Sequence, residues 1–179
     1  SFSNGVVDRV TSDYMGMLGT VINSLALQSN LKKIGVESRV MTAISINRVA
    51  EPYIKNKATS HLNKNRVVIF ASGTGNPFFS TDTAAVLRAS EMKSDVIFKG
   101  TKVDGIYDKD PVKNKDATKI AKISYSDYLN KEIKVMDATA ISLAKDSSLP
   151  IIIFSILKSS NILDIVEGNG SYSIINQNN

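Results

Sequence analysis

What most constrains this chain is the way short apolar runs alternate with helical patterns. Arg66–Ala71 is apolar throughout after its first residue and bounded by polar residues, which reads as a strand buried on both faces. Asp95–Lys99 and Ile151–Phe154 (the latter opened by Pro150) read as further buried strands, with shorter ones at Arg39–Ile44 and Tyr172–Ile175. Between them, Ser12 or Asp13 caps a helix whose core face is Leu18, Val21, Ile22 and Leu25, closed at Gly35. Further helices are expected at Ala50–Leu62, Asp82–Met92, Tyr125–Leu129, Asp137–Asp146 and Ile162–Val166. Ser1–Thr11 and the polar stretch through Asp116 read as loops, and Asn176–Asn179 as a frayed tail. Strands alternating with helices specify an α/β fold: a mostly parallel sheet with helices on both faces, a three-layer α/β/α sandwich. With 179 residues, no internal repeat and no linker, residues 1–179 are expected to form a single domain.

Composition narrows the partners. No apolar run approaches the roughly 20 residues that cross a bilayer, and Ser1–Arg9 does not resemble a signal peptide. Cysteine is absent, which excludes disulfide scaffolds and thiolate zinc sites and favours a cytoplasmic protein. The net charge is +5, but the lysines are interleaved with acids, as at Lys109–Asp110 and Lys131–Glu132. That pattern suits a solvated surface better than a nucleic-acid groove.

The most informative stretch is Gly73-Thr74-Gly75-Asn76-Pro77-Phe78-Phe79-Ser80-Thr81-Asp82, which leaves a buried strand and enters a helix. Ligands commonly bind there in open α/β sheets. Gly73 and Gly75 allow backbone to approach an anion, Thr74, Ser80 and Thr81 supply hydroxyls, and Asn76 an amide. The helix start adds free N–H groups and a positive dipole end. A plain glycine turn with Ser80 or Thr81 as helix cap explains the same residues. Phe78 and Phe79 belong either to core or to a pocket for a planar base. No Gly-x-x-x-x-Gly-Lys-Ser/Thr and no Gly-x-Gly-x-x-Gly after a strand occurs, so neither a P-loop NTPase nor a dinucleotide site is supported.

A second constellation, Lys99-Gly100-Thr101-Lys102-Val103-Asp104-Gly105-Ile106-Tyr107-Asp108-Lys109-Asp110-Pro111, also follows a buried strand, so both loops are expected at one sheet edge. Two such loops suit a phosphoryl donor and an acceptor. Lys99 and Lys102 match charge developing on a transferred phosphoryl group, Tyr107 can stack on a base, and Asp110 can accept from a ribose. A surface loop turning at Asp104-Gly105 is the plainer explanation of any one of these residues. His61, the one histidine, lies away from every motif and reads as a bystander.

Asp13-Tyr14-Met15-Gly16-Met17-Leu18, the Gly73–Asp82 loop, Lys99–Pro111 and Lys134-Val135-Met136-Asp137 together resemble the bacterial UMP kinases of the amino acid kinase fold, from about Val10 to Val166. The resemblance implies phosphoryl transfer from ATP to UMP, with ATP and Mg²⁺ as cofactors, in pyrimidine nucleotide biosynthesis. It implies that Asp13 holds the UMP ribose and that Thr74, Gly75, Asn76, Pro77, Phe78, Phe79, Ser80 and Thr81 wrap UMP. Thr101, Tyr107 and Asp110 would contact ATP, Asp137 would orient active-site lysines, and Lys99 would be one of these. For Asp13 and Asp137, helix capping is the competing role. No protein metal site is expected. A homohexamer, allosterically activated by GTP and inhibited by UTP, is implied as well, with the helix at Asp13 offering Met15 and Met17 as an oligomer surface.

The resemblance further implies a strand bearing Lys-x-Ser-Gly, a helix and a Gly-Gly-Gly-Asn loop ahead of these motifs. None occurs in these residues, so the sequence is expected to be part of a longer kinase with an uncovered strand edge. That departure supports one alternative, a non-catalytic nucleotide- or oxyanion-binding oligomer of the same fold. A kinase acting on a carboxylate such as acetylglutamate is another, against which Asn76-Pro77-Phe78-Phe79 favours a nucleotide acceptor.

Overall fold

The computed structural model describes residues 7–177. The chain divides into two compact units, Ser1–Met92 and Lys93–Asn179. In the first unit, helix α1 (Arg9–Lys33) leads into β1 (Ser38–Thr42), β2 (Glu51–Pro52), α2 (Lys55–Leu62), β3 (Val67–Ala71) and α3 (Thr81–Met92). The strands form a parallel sheet ordered β2-β1-β3, with Ser38 opposite Val67 and Thr42 opposite Ala71.

Helix α1 begins earlier than the expected cap at Ser12 or Asp13. Asp8 caps it instead, its carboxylate accepting from Thr11 N–H at 3.1 Å and from the Thr11 hydroxyl at 2.6 Å. Residues 9–11 of the expected loop are therefore helical, and residues 1–6 lie outside the described residues. The buried face is Met17, Val21 and Ser24, whereas Leu18 and Ile22 are exposed, Ile22 at 69%. The helix carries apolar residues on two sides, and packing on β1 and β3 selects the one through Val21. Val21 joins Val40, Ala50 and Ala71 in a core flanked by Leu25, Ile46 and Ile69.

Residues 50–54 are not helical as expected. Pro52 cannot donate to a helix ladder, and the segment instead pairs at the sheet edge with Met41 and Thr42. Strand β3 is not buried on both faces: Val67 is exposed and Val68–Phe70 half-buried, because β3 lies at the other edge of this sheet. His61 faces Glu51 Oε2 through Nε2 and Arg66 Nη1 through Nδ1, both at 3.2 Å, and so links α2 to β2 and to the approach of β3. Arg88 lies with its guanidinium 3.7 Å from the centre of the Tyr53 ring, and both residues donate to Glu91, fastening α3 beside β2.

The second unit contains β4 (Ile97–Thr101), β5 (Ile106–Tyr107), β6 (Lys119–Ile120), β7 (Lys122–Ser124), α4 (Tyr125–Asn130), α5 (Ala138–Asp146), β8 (Ile151–Ser155), α6 (Asn161–Val166) and β9 (Tyr172–Asn176). Its main sheet is ordered β4-β8-β9-β7, parallel except between β8 and β9, and β5 and β6 form a separate antiparallel pair. Strand β4 starts two residues later than expected and is only half-buried, as an edge strand can be. Strands β5, β6 and β7 are too short to show a period in sequence. Asn176 closes β9 rather than fraying, and Asn178 and Asn179 lie outside the described residues. The core here is Tyr125, Tyr128, Ile141, Ile151, Ile153 and Ile175, all fully buried. Both units thus build mostly parallel sheets flanked by helices, an α/β fold. Among the described residues no helix is long and apolar enough to cross a membrane.

Tyr128 fixes the segment before α5, its hydroxyl accepting from Met136 N–H at 2.7 Å and donating to Met136 C=O at 3.1 Å. Replacing it with Phe leaves both buried groups unsatisfied, so Tyr128→Phe should lose about 1–3 kcal/mol of stability, read by urea unfolding.

Candidate active site

In the first unit the Gly73–Thr81 loop joins β3 to α3 by a backbone that turns repeatedly into the left-handed region. Ser72, Gly73, Gly75 and Phe78 all have positive φ, at 66°, 58°, 80° and 71°. Such geometry is costly for Ser and more so for Phe, and persists only where neighbours impose it. The fully buried Ser72 supplies one restraint, its N–H donating to Thr20 Oγ1 on α1 and its hydroxyl sharing a hydrogen bond with Thr42 on β1, each 2.8 Å. Gly75 supplies another: its N–H reaches Ser72 C=O at 2.9 Å, and a Cβ there would lie 3.1 Å from Ala43.

Asp13 supplies the third. It sits on the second turn of α1, where its carboxylate accepts from Phe78 N–H at 2.7 Å and from Arg9 Nε at 3.0 Å. The Phe78 N–H, and after it the Arg9 guanidinium, hold its carboxyl below the ordinary aspartate range. Asp13 is therefore not a helix cap but a tie from α1 to the loop. Arg9 also lies 5.5 Å from the Phe78 ring centre. Phe78 and Phe79 are 68% and 54% exposed, so the core explanation of this pair fails. Thr74 is engaged within the loop, its hydroxyl accepting from Asn76 N–H at 3.1 Å, and Pro77 is half-buried in the turn that follows. Ser80, not Thr81, caps α3, its hydroxyl accepting from Thr83 N–H at 3.1 Å. Thr81 is the first residue of the helix.

In the second unit a cavity of about 420 Å³ brings Tyr107 and Asp110 together with Lys131, Lys134 and Val135. Thr101, Lys99 and Asp137 do not line it. Lys99 is half-buried mid-strand in β4, opposite Ile153, and Thr101 ends that strand with its hydroxyl closing a turn onto Val103 at 2.7 Å. Asp110 accepts from Val112 N–H at 2.9 Å and pairs with Lys113. Asp137 caps α5, accepting from Ala140 N–H at 2.8 Å, so its competing structural role is realised. Strands β3 and β4, which carry the two loops, belong to different sheets. A further cavity of about 550 Å³, where α1 ends and β1 begins, holds none of the expected residues.

The sequence reading missed Arg9 and Asp104. Arg9 stands four residues before Asp13, a spacing at which helical side chains meet. Asp104 is visible in sequence only as half of an Asp-Gly turn. Its carboxylate accepts from Tyr107 Oη at 2.7 Å, Lys119 Nζ at 2.9 Å and Ser171 Oγ at 3.2 Å. Partial burial pushes this carboxyl up, but the Lys119 and Tyr107 hydrogen bonds outweigh it and hold it at about 2.

The model of the amino acid kinase family matches residues 3–155, and the chain belongs to that family. Within it the chain is similar to uridylate kinases. It is 56% identical over 167 residues to the one from Roseobacter denitrificans, covering 93% of this chain and 69% of that protein. It is 58% identical over 168 residues to the one from Wolbachia pipientis, covering 94% and 68%. Among solved structures, the UMP kinase of Bacillus anthracis superposes with a TM-score of 0.93 at 41% identity, covering 97% of this chain and 72% of that one. That of Ureaplasma parvum gives 0.92 at 37% identity, covering 96% and 73%.

Two outcomes follow for the site's construction. Gly75→Ala should cost about 1–2 kcal/mol, because the left-handed backbone disfavours a Cβ and Ala43 crowds it, and thermal melting will register the loss. Asp104 has a folded pKa of about 2, below the unfolded value of roughly 3.9. Its contribution to stability is thus fully present above pH 4 and is lost as pH falls through 2. Asp104→Asn should flatten the melting temperature over that window relative to the parent.

Proposed function

We propose that this protein is a UMP kinase, transferring the γ-phosphoryl group of ATP to UMP to give UDP and ADP. The observation that carries the reading is Asp13 joined to the Gly73–Thr81 loop by the Phe78 N–H, in a chain similar to uridylate kinases over more than nine-tenths of its length. In this reading Asp13 accepts from the UMP ribose and residues 74–81 wrap the nucleotide, with Phe78 and Phe79 already at the surface for a base. Thr101, Tyr107 and Asp110 serve ATP, supported by the cavity that gathers the latter two. Lys99 neutralises the moving phosphoryl group, and Asp137 orients lysines. Both units then act as parts of a single amino acid kinase-like domain.

An oxygen of the UMP phosphate attacks the γ-phosphorus, and the bond from that phosphorus to the ADP oxygen breaks. The nucleophile is already an oxyanion, so no strong base is required, and catalysis is positioning and charge neutralisation. Mg²⁺ would be bound chiefly through the ATP phosphates and water. The same reading includes a homohexamer, GTP activation, UTP inhibition and a cytoplasmic role in pyrimidine nucleotide synthesis. The exposed Met15, Leu18 and Ile22 on α1 support an oligomer surface there, while Met17 is in the core.

The test is UDP formation from UMP and Mg-ATP by the full chain, expressed with any native sequence that precedes Ser1. UMP near 100 times its Kd should stabilise the fold by about 2.7 kcal/mol, and N-acetylglutamate should not. Asp13→Ala should raise the KM for UMP about 10- to 100-fold, as loss of a charge-assisted hydrogen bond does, with little change for ATP. UMP stabilisation without UDP would leave a binding protein only, and stabilisation by N-acetylglutamate instead would overturn the nucleotide reading.

A further inference from the structure

Resting on the kinase reading above, we infer that Asp104 is a positioning residue for the ATP side, fixing the Tyr107 ring in the lining of the cavity through its hydroxyl. Tyr107 and Lys119 lie directly opposite each other in the two-residue ladder of β5 and β6. Asp104 grips both: one carboxylate oxygen accepts from the Tyr107 hydroxyl and the other from Lys119 Nζ. Ser171, just ahead of β9, steadies the assembly by accepting from Lys119 Nζ at 2.6 Å and donating to Asp104. A tyrosine held at only its backbone retains freedom about two side-chain bonds, whereas one held also at its hydroxyl has a defined ring plane.

The surroundings are built for this grip. Gly105 has no Cβ, and one added there would fall 2.5 Å from Lys119 Cε and from Ser173 Oγ. Glycine is what lets Asp104 come down onto the ladder. Ser173 in turn accepts from Ile106 N–H at 2.8 Å and donates to Ile120 C=O at 2.6 Å, tying the β5–β6 pair to β9. Beyond the ladder, Asp108 accepts from Thr118 N–H at 2.8 Å and closes the base of the loop that carries Asp110. Ring and loop are thus set before any nucleotide arrives, and binding need not order them. The Asp104 hydrogen bond also raises the pKa of the Tyr107 hydroxyl, as expected where that hydroxyl is the donor.

The experiment is a double-mutant cycle on the full chain: parent, Asp104→Asn, Tyr107→Phe and the pair, with KM for ATP and kcat measured at saturating UMP. Each single variant should raise the KM for ATP about three- to tenfold with kcat within twofold, and the pair should be no worse than the weaker single. Tyr107→Phe keeps the ring and removes only the hydroxyl, so it carries the test even where Asp104→Asn folds poorly. An increase confined to Asp104→Asn would overturn the inference, since Asp104 would then act other than through Tyr107. Additive effects, or losses in kcat at constant KM, would overturn it too. If neither variant changes the KM while Tyr107→Ala raises it, the ring matters but its anchoring does not. Failure of the parent to turn over ATP with UMP is a different result, which sinks the kinase reading and this inference with it.

Discussion

The loop after β3 depends on three polar side chains that hold a disfavoured backbone in place. Four of the seven residues from 72 to 78 have positive φ, two of them not glycine. Non-glycine residues held so cost on the order of 1–3 kcal/mol each. Where α1, β1 and the loop converge, the Thr20 hydroxyl accepts from the Ser72 N–H and the Thr42 and Ser72 hydroxyls share a buried hydrogen bond. A hydrogen bond in such a place is expensive to leave unmade, so the chain is compelled to turn left-handed at Ser72. Gly75 and the Asp13 bond to Phe78 N–H then fix the loop's later course.

Asp13 shows how a helix side chain can support a loop distant in sequence. Its carboxylate accepts from the Phe78 N–H and ties the loop to α1. In the second unit Asp104 and Asp137 likewise spend oxygen lone pairs on neighbouring side chains and backbone. A carboxylate has about four acceptor positions, so structural and ligand bonds are compatible on one side chain.

Local chemistry made some elements plain and hid others. Helix α5 was legible because Asp137, whatever else it does, is a competent cap ahead of a helical pattern, and β8 because Pro150 precedes a run of isoleucines. The start of α1 was not, since Asp8, Ser12 and Asp13 are all competent caps and only tertiary packing chooses. Half of its core face was misplaced for a related reason: Val21 and Leu25 meet the core as expected, but Leu18 and Ile22 are as apolar as Met17, and periodicity alone does not say which side meets a sheet. The phosphate-type loop stood out through its glycines, but the exposure of Phe78 and Phe79 did not, because two adjacent phenylalanines ordinarily signal interior. Lys119, which anchors Asp104, is one lysine among many until the β5–β6 register sets it opposite Tyr107.

The approach of Gly75 to Ala43 reaches beyond the glycine itself. Ala43 immediately follows β1, and its Cβ and carbonyl occupy the space a side chain at 75 would need. Two of the three crowding atoms belong to the Ala43 backbone, and the φ of Gly75 is itself left-handed. No change of side chain at 43 therefore makes room at 75, and the glycine there is bound to the path of the chain as it leaves β1 rather than to the residue that chain carries.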